Sequence, residues 1–318
     1  MKKKPLNHES KIRGAFLGAL VGDAIGVPYE FEAPRKTKEV VLKGFGTHNQ
    51  PPGTWSDDGA LLLCSAFSLA EKKEFCPHHL SDKFLQWQKE GFMACGNRLF
   101  DIGTTTVQAF YRMRQGVSPL EAGGRLFETC GNGSLMRILP HALFPLPKSL
   151  EKLVSQVHDS SAITHRHPLC QVTCAVYCVI VRELISGTSK KDALSEAASK
   201  LTEVYQNHFL SSDYLRRLNE LTLHEPNLGK GFVLDTFFSA LKACLETKNY
   251  KEAIQRAVSF GGDTDTVACV TGGLAGVLYG DKAIPSEWVN SLRFDDLSRQ
   301  AMDRFIELAL SESIPDPK

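Results

Sequence analysis

No sign of charge dominates this sequence: Lys and Arg number 37 and Asp and Glu 36 in 318 residues. A surface so balanced has no broad basic footprint for nucleic acid or an acidic membrane. The one basic cluster, Lys2 to Lys4, reads as a solvated tail. Paired cysteines are lacking too. The nine cysteines are odd in number and scattered, with no CxxC pair, which suits reduced thiols in a cytoplasmic protein. Cys170, Cys174 and Cys178 fall at i, i+4, i+8 on one helical face. With no second ligand cluster at zinc spacing, they read as small apolar residues at a packing seam. Long hydrophobic runs are also missing, since no stretch reaches the ~20 apolar residues that span a bilayer. Gly14 to Gly22 imitates the apolar core of a signal peptide. However, His8, Glu9, Lys11 and Arg13 separate it from the leading lysines, and Asp23 closes it. Strand signals are scarce. Glu39 to Leu42 alone reads as a short extended piece, and no hairpin or βαβ series is visible.

What is present is helical periodicity. The apolar fraction of 42% supports a substantial core rather than disorder. Ala193, Leu194, Ala197, Ala198, Leu201, Val204 and Tyr205 mark one face of an amphipathic helix, and Met302, Phe305, Ile306 and Ala309 mark another. Residues 60–70 and 173–185 are apolar nearly all round and predict central buried helices. Val267 to Tyr279 predicts a third, rich in Gly and Ala, whose small side chains permit close helix approach. There are no repeats, low-complexity tracts or long linkers. Stretches 48–54, 144–149 and 224–231 read as loops. These features predict an all-α chain forming a single domain over 1–318, with its core at about 12–311 and its chemistry on loops and helix ends.

Two segments carry that chemistry. Gly53-Thr-Trp-Ser-Asp-Asp-Gly59 and Gly261-Gly-Asp-Thr-Asp-Thr266 each precede a predicted buried helix. Each sets a hydroxyl beside two carboxylates: Ser56 with Asp57 and Asp58, and Thr266 with Asp263 and Asp265. Helix capping explains one acidic residue at such a place. Two carboxylates held close repel unless a proton or a cation lies between them. Hard divalent cations with oxygen ligands answer that repulsion, and the two segments together suit a pair of ions. Both readings stand at this point. Gly131-Asn-Gly-Ser-Leu-Met-Arg137 is either an ordinary turn or a phosphate cradle. Asp101-Ile-Gly-Thr-Thr-Thr106 is at minimum a helix N-cap. Thr164-His-Arg-His-Pro168 lacks the further ligands a zinc site needs. Phe232 is a core ring or a base-stacking ring.

Six stretches together resemble the ADP-ribosylglycohydrolase superfamily: Gly14 to Glu32, Gly53 to Cys64, Phe100 to Thr106, Gly131 to Pro140, Thr164 to His167, and Ser259 to Gly280. They occur in order over most of the chain. The resemblance implies a compact orthogonal multi-helix fold with a dinuclear Mg²⁺ or Mn²⁺ site. It implies metal ligands at Ser56, Asp57, Asp58, Asp263, Asp265 and Thr266, and an acidic residue at Glu30 on a mobile loop over the metals. It also implies an ADP-ribose cleft lined by Asp101, Gly103, Gly131, Asn132, Gly133, Ser134 and His165. Phe232, outside the six stretches, is added as a candidate substrate contact by its place after Gly229-Lys-Gly231. Gly59 and Gly262 depart from the family pattern, where several members have Thr and some have a further Asp.

The activity so implied is metal-dependent hydrolysis of an ADP-ribosyl linkage, on a modified protein side chain or a small ADP-ribose conjugate. Glu30, Asp58 or Asp263 would take a proton from the attacking water. Two other classes stay open: a non-catalytic ADP-ribose-binding protein, and a dinuclear phosphoester hydrolase. No nucleic-acid or membrane partner is expected.

Overall fold

The computed structural model describes residues 6–145, 149–209 and 212–311. Lys2 to Lys4 and part of the predicted 144–149 loop lie outside the described residues. The described residues form helices joined by loops, with no strand among them. It begins with α1 (His8–Gly26), α2 (Asp57–Lys72), α3 (Pro77–Glu90), α4 (Thr104–Arg114) and α5 (Pro119–Ala122). It continues with α6 (Leu139–Leu143), α7 (Leu150–Ala162), α8 (Pro168–Ser186), α9 (Ala193–His208) and α10 (Ser212–Leu223). It ends with α11 (Val233–Glu246), α12 (Tyr250–Ser259), α13 (Thr264–Tyr279), α14 (Ser286–Ser291) and α15 (Asp296–Ser311). The predicted all-α class is what the structure shows. One apolar core runs from Ile12 to Ala309.

The extended piece expected at Glu39 to Leu42 does not form a strand. Thr37–Glu39 is a 3₁₀ turn, and Val40 is extended but unpaired. Side chains satisfy the backbone there instead of a ladder. Tyr29 Oη accepts from Val41 N at 2.9 Å and donates to Val41 O at 3.0 Å, while Gln255 Nε2 donates to Val40 O at 2.8 Å. Once these groups are bonded, a neighbouring strand has no role.

The predicted buried helices are found where their composition places them. α2 and α8 are sheathed in apolar neighbours over most of their length. α8 is long and apolar enough to cross a membrane by length and composition, but 89% of that window is buried inside the fold. The three thiols of α8 do form a seam. Cys170 Sγ lies 3.7 Å from Gly131 O, Cys174 Sγ 3.5 Å from Ser134 Oγ, and Cys178 Sγ 3.9 Å from Ile138 O. The seam therefore backs the Gly131–Ile138 segment, and all nine cysteines are free.

α1 and α13 carry the contact that organises the site. Gly14, Gly18 and Gly22 recur every fourth residue, one face of the helix. A Cβ at Gly18 would stand 2.4 Å from Gly272 O, and one at Gly22 2.0 Å from Ala268 O. No side chain fits, so the two backbones touch. The seam runs antiparallel and ends with Gly26 against the first turn of α13, where a Cβ would stand 2.4 Å from Asp265 Cα. The segment leaving α1 is thus delivered onto the acidic start of α13. The apolar run that imitates a signal peptide is this core helix.

Candidate active site

Four stretches supply carboxylates to one cleft of about 270 Å³: the starts of α2 and α13, the turn after α1, and Asp101 in the loop before α4. α2 begins at the first acidic segment. Ser56 is its N-cap, its Oγ accepting from Asp58 N at 3.2 Å. The hydroxyl therefore does the capping, which leaves Asp57 and Asp58 unneeded for that purpose. α13 begins at the second segment with Asp263 in the N-cap position, and Asp263 makes no cap bond. Thr266 Oγ1 donates across to Asp58 Oδ1 at 3.2 Å, joining the two segments about two hundred residues apart in sequence. The third element is the turn after α1. Glu30 is buried there, and Phe31 N donates to Gly262 O at 2.7 Å while Gly262 N donates to Glu32 O at 3.0 Å. In this structure the Glu30 segment is clamped onto the second acidic segment.

Both departures from the family pattern have local causes. A Cβ at Gly59 would stand 2.9 Å from Asp23 Oδ2 and 2.8 Å from Trp55 Cβ. Gly262 holds a φ of +69°, and a Cβ there would stand 2.1 Å from Gly229 O. An L side chain at Gly262 is both strained and blocked.

Asp23 is the residue the motifs alone did not single out. Fully buried in α1, it accepts from Ser56 N at 3.0 Å and from Gly59 N at 2.8 Å. It therefore holds the start of α2 in place. Its carboxyl is pushed up to about 7 by burial, against the opposing effect of those N–H bonds. Burial likewise raises Glu30 to about 10, helped by the charges of Asp101 and Asp263. Asp57, Asp58 and Asp265 are held well above the carboxylate range, first by burial and then by neighbouring acids, led by Asp101 for Asp57, Asp23 for Asp58 and Glu30 for Asp265. Asp263 is raised by burial, and the Asn132 amide, donating to Oδ2 at 2.9 Å, opposes the shift.

Carboxylates gathered in this way could hold a metal ion. Carboxylate oxygens of Asp23, Asp58 and Asp265 lie within 4.8 Å of one another, as do those of Glu30, Asp263 and Asp265. Asp58 Oδ2, Asp263 Oδ1 and Asp265 Oδ2 are buried with no hydrogen-bond partner. Among the described residues no Lys or Arg pairs with any of them. The donors of these two groups are all oxygen, which fits a hard divalent cation, while a third group sets His48 beside Glu30 and Asp101.

Of the predicted substrate contacts, Asp101, Gly103, Gly131, Asn132, Gly133 and His165 line the cleft, together with Glu30, Asp57, Asp58, Asp263 and Thr266. Asp101 holds a φ of +59°, uncommon outside glycine. Asp265 stands behind the wall at 0% exposure. Ser134 does not face the cleft: its hydroxyl accepts from Ser161 Oγ at 2.9 Å and lies against Cys174. Phe232 does not line this cleft, although its neighbour Gly231 does; its ring lies 5.6 Å from that of Phe127 and 5.9 Å from that of His224. His48 is an addition. Its Nε2 bonds Glu30, and its ring lies 5.0 Å from Phe100 and 6.1 Å from Phe31.

Residues 4–314 match the model of the ADP-ribosylglycohydrolase family. The chain belongs to this family. It is 31% identical over 295 residues to the ADP-ribosylarginine hydrolase Tri1 of Serratia proteamaculans, covering 91% of this chain and 78% of that one. It is also 31% identical over 315 residues to the ADP-ribosyl-[dinitrogen reductase] glycohydrolase of Rhodospirillum rubrum, covering 93% and 95%. A solved ADP-ribosylglycohydrolase-related protein complex superposes with a TM-score of 0.76 at 31% identity, covering 95% of this chain and 98% of that one. As a family member the chain is an ADP-ribosyl glycohydrolase, a hydrolase of glycosidic ADP-ribose linkages. The six ordered stretches of the sequence lie on the elements that build the cleft.

Proposed function

We propose that this enzyme removes ADP-ribose from a modified protein side chain or a small conjugate, using two divalent cations, Mg²⁺ or Mn²⁺. The orphaned buried oxygens of Asp58, Asp263 and Asp265, gathered from two helix starts with no basic partner, carry this reading. Ser56, Asp57, Asp58, Asp263, Asp265 and Thr266 would hold the pair, Asp23 bracing the first helix start from behind. Bound there, such cations offset the shared negative charge and make a coordinated water a usable nucleophile near neutral pH.

The chain's own residues do the rest. With the positive charge of the cations drawing its pKa down, Glu30 would take the water's proton, and Asp58 and Asp263 are the alternative acceptors. His48 holds the Glu30 carboxyl, and Thr47 Oγ1 donates to the Glu30 carbonyl at 2.5 Å, so the group is fixed from both ends. Negative charge around the scissile carbon suits the positive, oxocarbenium-like character that develops there. The Gly131–Gly133 turn meets the diphosphate. Asn132 N–H is taken by Gly231 O at 3.1 Å, while the N–H groups of Gly131 and Gly133 have no partner among the described residues. Binding energy gathered at the diphosphate and adenosine is remote from the reacting carbon and can be spent there.

The test is a panel of defined ADP-ribosylated substrates, arginine-linked first because the Serratia relative is named for that linkage. Free ADP-ribose should appear with Mg²⁺ or Mn²⁺, stop with chelator and return on adding either ion. Binding without release would make the protein a reader of ADP-ribose. Inorganic phosphate or a nucleoside monophosphate among the products would make it a phosphoester hydrolase. Full turnover by the metal-stripped enzyme would remove the cations from the mechanism.

A further inference from the structure

Behind the Gly131–Gly133 turn lies a line of buried side chains that the reaction does not itself require. Arg137 is fully buried, its guanidinium 4.5 Å above the ring of Phe84, with no carboxylate partner among the described residues. Its Nη2 donates to Ser160 O at 3.0 Å and to Thr164 Oγ1 at 2.9 Å. Thr164 Oγ1 lies 2.8 Å from His165 Nδ1. These two are the only partners of the Thr164 hydroxyl among the described residues.

Direction follows from counting protons. A guanidinium only donates, so Thr164 accepts from Arg137 and its single proton is left for His165 Nδ1. The opposite arrangement, with Nδ1–H donating to Thr164, would strand a fully buried hydroxyl proton without an acceptor. Nδ1 is therefore the acceptor, and a neutral imidazole with an acceptor Nδ1 carries its proton on Nε2. Burial and the Arg137 charge push the His165 pKa down to about 3, which keeps the ring neutral. The Nε2 edge faces the turn that lines the cleft. A Cβ at Gly133 would stand 3.4 Å from it, and one at Gly131 3.5 Å.

We propose that Thr164, oriented by Arg137, is a positioning residue that fixes His165 as the Nε2–H tautomer, a donor to a phosphate oxygen of the bound ligand. Arg137 never reaches that ligand. It reads out through Thr164 as a fixed proton on the far side of the ring. The ligand assignment rests on the function proposed above, while the tautomer rests on the hydrogen bonds alone. Without the relay, either ring nitrogen could hold the proton, and a lone pair turned to the cleft would repel an anion.

The experiment uses the full chain with Thr164→Val, which deletes the hydroxyl at nearly constant volume, and Thr164→Ser, which restores it. Long-range proton–nitrogen correlation spectra of nitrogen-labelled protein report the His165 tautomer without ligand, and titration with ADP-ribose reports affinity. Wild type should be a single Nε2–H species. Thr164→Val should lose the single tautomer and bind ADP-ribose about tenfold more weakly, and Thr164→Ser should recover both. In a His165→Ala background, Thr164→Val should cost nothing further, since its effect passes through the ring. An Nδ1–H ring in wild type, Thr164→Val binding within twofold of wild type, or additive losses in the double variant would each overturn the proposal. A wild-type Nε2–H ring in a protein that does not bind ADP-ribose would uphold the relay and refute the functional reading instead.

Discussion

Asp263→Asn keeps the shape of a side chain while removing one charge, and the structure predicts opposite outcomes with and without a cation. Carboxylate oxygens of Glu30, Asp263 and Asp265 lie within 4.8 Å of one another. Two unit charges at that distance repel by roughly 3–4 kcal/mol at an effective dielectric near 20. The raised pKa values of Glu30 and Asp265 mean that protons already absorb much of this, so relief of about 1 kcal/mol is a fair expectation. Against it stands the lost attraction of a negative group for the start of α13, about 0.3–1 kcal/mol. No cap bond is lost, because Asp263 makes none, and the amide oxygen can still accept from Asn132. Cation-free stability should therefore hold or rise slightly. Cation affinity should fall about 100-fold or more, since changes to groups that merely support a ligand already cost 10–100-fold. At a Mn²⁺ concentration about 100 times the wild-type Kd, that drop removes about 2–3 kcal/mol of ligand stabilisation. Calorimetric titration with Mn²⁺, and thermal melts in chelator and in Mn²⁺, read both halves. Unchanged Mn²⁺ affinity would refute ligation by Asp263. A chelator melt lowered by much more than 1 kcal/mol, with no change in Mn²⁺ binding, would instead return the residue to a capping role.

Three further outcomes follow from the same geometry. Glu30→Gln should cut kcat and kcat/KM together by about 100-fold or more while leaving ADP-ribose affinity nearly intact, because the diphosphate turn is elsewhere; near-normal kcat in steady-state assays would take Glu30 out of the mechanism. Gly133→Ala sets a Cβ 2.8 Å from His165 Cε1 and 3.3 Å from Thr106 Oγ1, so the ring must shift at a cost of about 1–3 kcal/mol, and titration should show weaker ADP-ribose binding. The third outcome concerns pH. An acid whose folded pKa is raised contributes stability that is fully present below its unfolded value and is lost as pH rises through the folded one. For Asp23 that window runs from 3.8 to about 7, and for Glu30 from 4.5 to about 10. The cation-free enzyme should therefore melt lower at pH 8 than at pH 5, and added Mn²⁺ should raise the melt more at pH 8. A chelator melt that rises over that interval would contradict the burial argument.

Much of the site was legible because its chemistry is local in sequence. Two segments that each place a hydroxyl beside two carboxylates cannot both be explained by a single cap, and the structure assigns the cap at the first to Ser56, leaving Asp57 and Asp58 over. The central helices were legible for a similar reason, since residues 60–70 and 173–185 have no polar face to expose. Contacts made across the fold were harder. Asp23 in the sequence is one acid ending an apolar run, and only the approach of α2 shows that it receives two N–H groups. His48 sits in a loop with no periodicity, and it meets Glu30 because Thr47 ties that loop to the Glu30 carbonyl. Ser134 does not line this cleft, for a third reason. A Gly-Asn-Gly-Ser run announces a turn but not which way each residue faces, and here the serine turns back toward Ser161 and α8. Val40 and Val41 have strand-forming side chains, but strand formation needs a partner, and Tyr29 and Gln255 occupy the backbone groups first.

The glycines of α1 bear on how such a site keeps its geometry. The proposed cation pair would tolerate little displacement of its ligands, yet the carboxylates here come from segments far apart in the chain, and the first and last are joined through the α1–α13 seam. Backbone oxygens across that seam stand where Cβ atoms would be, at 2.4 Å for Gly18 and 2.0 Å for Gly22. Helices meeting through long side chains can slide as rotamers change, whereas helices meeting backbone to backbone have no such slack. Where the seam ends, Gly26 meets Asp265, and the next turn of chain delivers Glu30. Wherever these buried carboxylates carry charge their repulsion acts to part the segments, and the α1–α13 seam opposes it along the helix rather than at the site. The rigidity that the proposed cation pair would need is thus supplied by residues with no side chain at all, up to three turns of helix away from the chemistry.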